Sequence, residues 1–324
     1  MTYKKALVVG INDYGPGIQL NDCIKDAESV AQVLERNFNG ELNYEVKKMI
    51  NVKTKDELAQ NIRDLFDNNG NSALLYFSGH GYVDDDGKAS LVTPDVTPNF
   101  PGVPMDDILN WANKSSIKNK LVILDCCFSG NMGNFSGDGT KSNLGDGVTI
   151  LTASKNDQTA MEINGHGLFT ALLLESLEGG ASDILGNVTP GNIYSYIDKA
   201  LGIWGQRPVF KSNVSSFDII RKVTPPIEIK IVQELPNLFS MDNKIDLDPS
   251  FEYTNVPDEK HEIKEPYAEE GNTVKFKKLQ KLVSVGLVRP VESEFMYTAA
   301  MESKSCELTP LGEYYLKLVR EKRL

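Results

Sequence analysis

The chain has 324 residues, and its 45 acidic side chains against 34 basic ones give a formal net charge of −11. This balance argues against nucleic acid as the main partner, and no apolar run is long enough to span a bilayer. Four cysteines over such a length form no disulfide framework, and no apolar secretory signal follows the first residues, so we expect a cytoplasmic protein.

The first two thirds of the chain alternate between predicted strands and helices. Apolar runs predict strands at 6–10, 44–50 and 71–78, and helical spacing of apolar residues predicts helices at 22–38 and 54–66. Further along, the pattern predicts a hairpin at 82–92, helices at 105–114, 167–177 and 189–201, and strands at 121–124, 148–153 and 206–210. This alternation is typical of an α/β fold with a mostly parallel sheet and helices on both faces.

Two short motifs follow apolar runs, where two strands should end. Residues 78–81 read Ser-Gly-His-Gly, and residues 125–130 read Asp-Cys-Cys-Phe-Ser-Gly. Only a loop and the predicted helix 105–114 separate them, so the two strands should be neighbours joined by one crossover. His80 and Cys127 should then lie side by side past the strand ends, where α/β sheets bind their ligands. A thiol beside an imidazole is the minimum apparatus for nucleophilic catalysis.

Alternation along the strands assigns the side chains around this pair. Asp125 and Cys127 share one face while Cys126 points to the other, so Cys127 is the predicted nucleophile and Cys126 a small core residue. Ser78 precedes His80 by two residues and should face the same cleft. A carboxylate in that cleft favours a ligand with a basic side chain.

These motifs resemble the histidine and cysteine boxes of the caspase-like cysteine peptidases, peptidase family C14. The chain is more similar to the metacaspase and orthocaspase branch, with its prokaryotic members, than to true caspases, whose Gln-Ala-Cys box it lacks. The resemblance covers about residues 4–220 and includes a Gly-Ile-x-x-Tyr opening at 10–14. It implies a caspase-like fold and a Cys-His dyad in which Cys127 attacks the scissile carbonyl and His80 protonates the leaving amine.

The resemblance also implies the rest of the site. Metacaspases draw a cysteine and an aspartate of the S1 pocket from the first helix region, and Cys23 and Asp26 match them. With Ser78 and Asp125 they predict an S1 pocket selective for Arg or Lys at P1, the substrate residue before the cleaved bond. Taken singly, Asp26 also fits a solvated residue near a helix start, and Asp125 a buried carboxylate held by backbone amides. The backbone N–H groups of Gly81 and Cys127 are the predicted oxyanion hole.

Activating calcium is a further implication of the metacaspase resemblance. Asp95, Asp106 and Asp107 lie at matching places, and three nearby carboxylates suit this hard cation. Asn134 stands near the place of the family's fourth aspartate and lacks its charge. Asp106 and Asp107 also read as ordinary charges in the first turn of a helix. No cofactor is required on this reading, and calcium is an additional expectation.

Residues 130–147 are glycine-rich and polar, which predicts a loop beside the active site. In the family this loop is often cut during maturation, and Lys141 is its only basic residue, so Lys141 is the autocleavage candidate. An uncut loop is the alternative. His166 precedes a predicted helix and competes for the catalytic role, but no nearby partner motif supports it.

The C-terminal third predicts a separate small module. We expect a peptidase domain at 1–222, an acidic, proline-punctuated linker with some short strands at 223–272 and an α+β module at 273–324. The module has a helix, a predicted strand at 294–299 and a Leu-Thr-Pro-Leu-Gly turn into a last helix, which resembles a winged helix. From residue 261 onward 11 Lys and Arg face 10 Asp and Glu, so a protein partner fits better than DNA.

We therefore expect a cysteine endopeptidase that cleaves protein or peptide substrates after Arg or Lys. Its activation would depend on a regulatory partner, a signal or autocleavage of a zymogen. Two alternatives remain: a catalytically silent caspase-like scaffold that recruits proteins through its C-terminal module, and a transcriptional regulator. The intact motif residues His80 and Cys127 count against the first, and the missing basic patch counts against the second.

Overall fold

The computed structural model describes residues 3–67, 69–84, 86–96, 102–126, 144–153, 162–163, 165–202, 208–239, 243–257 and 262–324. The chain divides into two compact units, residues 1–224 and residues 225–324. Among the described residues, no helix has both the length and the apolar character needed to cross a membrane.

The first unit contains thirteen described strands. They are β1 (Lys4–Gly10), β2 (Glu45–Ile50), β3 (Ser72–Ser78), β4 (Gly81–Val83), β5 (Ala89–Leu91), β6 (Val103–Pro104), β7 (Asn119–Asp125), β8 (Val148–Thr152), β9 (Glu162–Ile163), β10 (His166–Gly167), β11 (Asn187–Val188), β12 (Val209–Asn213) and β13 (Arg221–Lys222). Its described helices are α1 (Cys23–Glu35), α2 (Lys55–Asp67), α3 (Met105–Lys114), α4 (Leu168–Glu175), which continues into a π-helical turn at Ser176–Gly180, and α5 (Pro190–Leu201).

Six strands form the central sheet in the order β12-β8-β7-β3-β1-β2. Strands β1, β2, β3, β7 and β8 are parallel to one another, and β12 closes one edge antiparallel to β8. Every residue of β3 is buried, as expected for a strand covered on both faces. The predicted mostly parallel sheet with helices on both faces is therefore confirmed.

Alternate residues of the strands feed two separate cores. Leu75 and Phe77 of β3 pack in one core with residues of α2 and α3, whereas Leu74 and Tyr76 pack in the other with residues of α1, α4 and α5. This division follows from the period of two along a strand. Local signals start the helices: the predicted N-cap Thr54 accepts a hydrogen bond from the N–H of Glu57 at 3.2 Å, at the start of α2.

The strand register brings three strand ends to one level. Gly10 of β1 pairs with Ser78 of β3, and Ser78 pairs with Asp125 of β7. A Cβ atom at Gly10 would lie 2.3 Å from the carbonyl oxygen of Cys23, so only glycine lets the start of α1 approach this edge. Helix α1 therefore delivers its first turn to the carboxyl ends of β1 and β3.

The second unit is a small α+β module, as predicted. Its elements are α6 (Ile229–Gln233), α7 (Leu235–Leu238), β14 (Lys244–Asp246), a 3-10 turn (Pro249–Phe251), α8 (Glu270–Ser284), β15 (Val288–Val291), α9 (Met296–Met301), β16 (Ser305–Leu308) and α10 (Pro310–Arg320). The three strands form an antiparallel sheet in the order β14-β16-β15. The winged-helix resemblance stays a prediction.

Two segments of this unit differ from the sequence-based prediction. The segment predicted as a linker with some short strands, 223–272, has the short strand β14, but it also contributes two short helices and the buried side chains of Leu235 and Phe239. Its strand β14 pairs with β16, about sixty residues later, so no local pattern marks it. The segment 294–299, predicted as a strand, lies mainly in α9, where Ala299 and Ala300 are fully buried.

Candidate active site

His80 lies immediately after β3, held by the first segment of the chain. Its backbone N–H donates to the hydroxyl of Tyr14 at 2.8 Å, and the two rings lie 4.6 Å apart at their centroids. A Cβ atom at Gly79 would lie 2.3 Å from the same hydroxyl and 2.9 Å from the ring of Phe77. Glycine at position 79 therefore allows Tyr14 to pack beneath the turn that carries the histidine.

The imidazole of His80 has a fixed tautomer. Its Nε2 lies 2.8 Å from the carbonyl oxygen of Ile18. A carbonyl only accepts hydrogen bonds, so Nε2 carries the proton and the neutral ring presents a lone pair at Nδ1. Nδ1 can therefore take a proton from a thiol. This carbonyl is a third group that orients the histidine, and it was not predicted because a backbone carbonyl leaves no signature in residue type.

The predicted nucleophile, Cys127, lies outside the described residues, as do Asn134 and the autocleavage candidate Lys141. The described residues before this gap end at Cys126, which is 3% exposed and packs in the core. Gly81, the other predicted oxyanion residue, is the first residue of β4 and follows His80 directly. The dyad and the oxyanion hole thus stay predictions, supported on the histidine side by its tautomer.

The four predicted S1 residues lie together beside His80. Ser78 and Asp125 are paired across β3 and β7. The Ser78 hydroxyl donates to Oδ2 of Asp26 at 3.5 Å and also hydrogen-bonds the thiol of Cys23. Cys23 and Asp26 come from the first turn of α1, so three elements of the fold build one polar cluster in which Asp26 is only 3% exposed.

Each carboxylate of this cluster has a partner from the segment that opens α4. Nδ1 of His166 lies 2.6 Å from Oδ1 of Asp26. The Thr170 hydroxyl donates to Oδ2 of Asp125 at 2.5 Å, and the Tyr76 hydroxyl lies 2.6 Å from that of Thr170. Because Thr170 gives its single proton to the carboxylate, Tyr76 donates to Thr170. A chain of hydrogen bonds therefore runs from the core to Asp125.

Neither partner, His166 or Thr170, was predicted from the sequence. His166 was set aside for want of a nearby motif, but the partner of His166 lies 140 residues earlier in the chain. Thr170 sits in an apolar helical run and is fully buried, so its hydroxyl must find an acceptor. A polar residue on the buried face of a predicted helix was the one available signal.

Burial sets the protonation of the cluster. Desolvation raises the pKa of Asp125 from its ordinary 3.8 to about 7, against the Thr170 hydrogen bond, and the charge of Asp26 raises it further. Desolvation also raises the pKa of Asp26, while the contact with His166 lowers it. Burial raises the pKa of the Cys23 thiol to about 12, so Cys23 stays protonated at neutral pH and is no nucleophile.

Gly167 leaves room next to both carboxylates. A Cβ atom there would lie 3.6 Å from Oδ2 of Asp125 and 4.0 Å from Oδ2 of Asp26. The backbone at Gly167 has an ordinary extended conformation, with φ −57° and ψ 144°, so strain does not explain the glycine. Its lack of a side chain leaves space where two carboxylate oxygens converge.

The predicted calcium ligands do not meet among the described residues. Both carboxylate oxygens of Asp95 accept from the backbone N–H of Lys55, at 3.0 and 3.1 Å, which fixes the start of α2. Asp106 and Asp107 are exposed in the first turn of α3. No group of three His, Cys, Asp or Glu side chains suited to a metal occurs in the described part of the chain. Calcium binding stays a prediction.

The chain is similar to solved structures and to a family profile. A structural genomics protein from Geobacter sulfurreducens is 18% identical with a TM-score of 0.51, over 68% of this chain and all of that one. Caspase-1 from Spodoptera frugiperda is 14% identical with a TM-score of 0.46, over 68% of this chain and 90% of that one. No curated protein matches the chain. The sequence profile of the caspase domain matches residues 3–208, which is more than half of the chain, and the chain therefore belongs to the caspase-domain family of cysteine peptidases.

Proposed function

We propose that this protein is a cysteine endopeptidase that hydrolyses peptide bonds after Arg or Lys, with His80 and Cys127 as its dyad. The observation that supports the specificity best is the pair of carboxylates, Asp26 and Asp125, gathered at the end of the strand that leads to His80. A desolvated carboxylate is costly unless it is paired or hydrogen-bonded, and an oxygen of each of these two carboxylates lies within 4.0 Å of the position that a Cβ atom of Gly167 would take. A guanidinium or ammonium group supplies the charge that this space lacks.

The proposed reaction follows from the tautomer of His80. Nδ1 of His80 accepts the proton of the Cys127 thiol, and the thiolate attacks the scissile carbonyl. The imidazolium then protonates the leaving amine, and water hydrolyses the thioester to free the enzyme. The carbonyl of Ile18 holds Nε2–H throughout, so that the proton moves at Nδ1 alone. Backbone N–H groups of Gly81 and Cys127 stabilise the oxyanion.

The electrostatics of the pocket couple substrate binding to ionisation. With a pKa of about 7, Asp125 is partly protonated at neutral pH when no cation is present. A bound guanidinium favours the ionised form, so binding of a basic P1 side chain releases a proton from Asp125. A neutral P1 side chain offers no such compensation and leaves the carboxylate desolvated. Discrimination against neutral residues therefore arises from the cost of burial as well as from direct attraction.

Regulation belongs to the same proposal. Cleavage at Lys141 would suit an enzyme that accepts lysine at P1, since the only basic residue of the loop 130–147 is then its own substrate. The second unit, 225–324, is the proposed binding surface for a regulatory protein partner. Calcium through Asp95, Asp106 and Asp107 is a further proposed modulator, and no other cofactor is invoked.

A panel of fluorogenic peptides with Arg, Lys, Asp or Leu at P1 tests the proposal. The wild-type chain should cleave after Arg and Lys. In Cys127→Ala and in His80→Ala the rate of this cleavage should fall at least about a thousandfold. Cys126→Ala is the matched control, because this neighbouring thiol is buried in the core and should be dispensable. Each protein is assayed with calcium and with a chelator, which tests the predicted aspartates.

Cleavage after Asp alone would contradict the pocket, and activity in Cys127→Ala would contradict the dyad. A latent enzyme is recognised by a chloromethyl ketone with arginine at P1, whose covalent adduct is located by mass spectrometry. An adduct on Cys127 supports the proposal even where no peptide is turned over. If the chain shows no turnover and forms no adduct on Cys127, the result would favour the silent scaffold.

A further inference from the structure

His166 forms the closest polar contact of the Asp26 carboxylate among the described residues. Its Nδ1 lies 2.6 Å from Oδ1, and the side chains of the pair are only 13% and 4% exposed. The other groups that act on Asp26 are the Ser78 hydroxyl at 3.5 Å and the charges of Asp22 and Asp125. Of these partners, His166 alone can supply positive charge.

The contact uses one oxygen of Asp26 and leaves the other directed at the pocket. His166 binds Oδ1, whereas Oδ2 lies 3.5 Å from the Ser78 hydroxyl and 4.0 Å from the position of a Cβ atom at Gly167. Oδ2 of Asp125 lies 3.6 Å from the same position. The hydrogen bond to His166 therefore fixes the rotation of the Asp26 carboxylate in which the two Oδ2 atoms converge.

His166 also limits the electrostatic cost of this arrangement. Two carboxylates that share a desolvated site raise each other's pKa and favour the protonated form. A donor at Oδ1 stabilises the ionised form of Asp26, and a charged donor does so about twice as strongly as a neutral one. A lysine or arginine would place a permanent full charge there, whereas an imidazole offers a directional donor on a short, rigid side chain.

We propose that His166 is a positioning residue of the S1 pocket, which orients Asp26 and keeps it available to a basic P1 side chain. This inference rests on the proposed cleavage after Arg or Lys and extends it to a residue outside the four predicted S1 residues. His166 does not touch the substrate and acts through the carboxylate. The segment that opens α4 thereby takes part in specificity, although it contributes no side chain to the dyad.

Paired substrates with arginine or citrulline at P1 test this role. Citrulline has nearly the shape of arginine and no charge, so the ratio of kcat/KM for the two substrates measures recognition of charge. His166→Ala should lower this ratio about tenfold, mainly through KM for the arginine substrate. His166→Asn should keep the ratio within about threefold, because the asparagine amide places a neutral donor where Nδ1 lies. Ser29→Ala, about one turn further along α1 than Asp26, is the control for truncation of a neighbouring side chain.

A direct binding measurement removes any dependence on turnover. The fluorescence of p-aminobenzamidine, a small amidinium probe, is titrated with the full chain that carries Cys127→Ala. Addition of His166→Ala should weaken its binding about tenfold, and addition of Ser29→Ala should leave it unchanged. This measurement also serves if the wild-type enzyme is latent.

The outcomes separate this inference from the proposed function. If the wild-type chain prefers arginine to citrulline and His166→Ala keeps or increases that preference, the role of His166 is refuted while the pocket stands. An equal fall in kcat/KM for the arginine and citrulline substrates would indicate a merely structural effect and would also refute the role of His166. If the wild-type chain neither discriminates between the two substrates nor binds the probe, the S1 assignment itself fails, and the inference fails with it.

Discussion

Replacement of Asp125 by asparagine should stabilise the first unit at alkaline pH while it removes cleavage after Arg. Burial raises the pKa of Asp125 from 3.8 to about 7. The unfolded chain therefore loses this proton at a lower pH than the folded chain does. Stability falls as pH rises through the window between these two values, and the loss persists above it. Asparagine keeps the acceptor for Thr170 and has no charge to desolvate.

The magnitude follows from the size of the shift. One pKa unit corresponds to about 1.36 kcal/mol. A shift of about three units therefore lowers the free energy of unfolding by at most about 4 kcal/mol above pH 8. At pH 5 the same shift costs about 1.5 to 2 kcal/mol, because the folded carboxyl is still protonated there. The stabilisation of Asp125→Asn relative to the wild type, as a free energy of unfolding, should therefore be about 2 to 3 kcal/mol larger at pH 8 than at pH 5. Relief of Asp26 from the charge of Asp125 adds to the gain in the same direction.

Chemical unfolding followed by tryptophan fluorescence measures this difference in the intact chain. Both tryptophans, Trp111 and Trp204, belong to the first unit, so the signal reports on that unit. Glu41→Gln, at an exposed position between α1 and β2, is the control for loss of a single surface charge and should show no such gain. If the gain of Asp125→Asn is equal at pH 5 and pH 8, or larger at pH 5, the reasoning from burial is refuted.

Three further substitutions test other parts of the site. Gly79→Ala places a Cβ atom 2.3 Å from the Tyr14 hydroxyl and should lower kcat/KM at least about tenfold by moving His80, with partial recovery when Tyr14→Phe is added. Gly167→Val fills the space between the carboxylates and should raise KM for a P1-Arg peptide about tenfold, in steady-state assays, without unfolding the chain. Asp95→Ala removes the acceptor at the start of α2 and should cost about 1 kcal/mol in chemical unfolding, with or without calcium.

Each of these predictions has an outcome that contradicts it. Full activity of Gly79→Ala would mean that the turn before His80 tolerates a displaced Tyr14. An equal rise in KM for P1-Arg and P1-Ala peptides in Gly167→Val would place the added side chain outside the pocket. A loss of stability in Asp95→Ala that appears only with calcium would assign this aspartate to the metal after all.

Local patterns in the sequence predicted the main strands and helices of the first unit and the adjacency of β3 and β7. Strand β3 contains an apolar run, 73–77, directly before Ser78, and β7 contains another, 121–124, directly before Asp125, because strands covered on both faces have no solvent-facing side that needs polar residues. The period of two also assigned Cys126 to the core, where the structure has it. The grouping of Cys23 with these strand ends came from the family resemblance, since nothing local links α1 to β3.

The tertiary structure alone decided how the carboxylates are held. The contact between His166 and Asp26 joins residues 140 positions apart, and the donation from Thr170 to Asp125 spans 45. Such pairs depend on how α1 and α4 pack on one face of the sheet, which residue type and spacing do not encode. The carbonyl of Ile18 is hidden from sequence for a simpler reason, because every residue carries one. The same limit explains why the pairing of β14 with β16, which lies far along the chain, was not predicted.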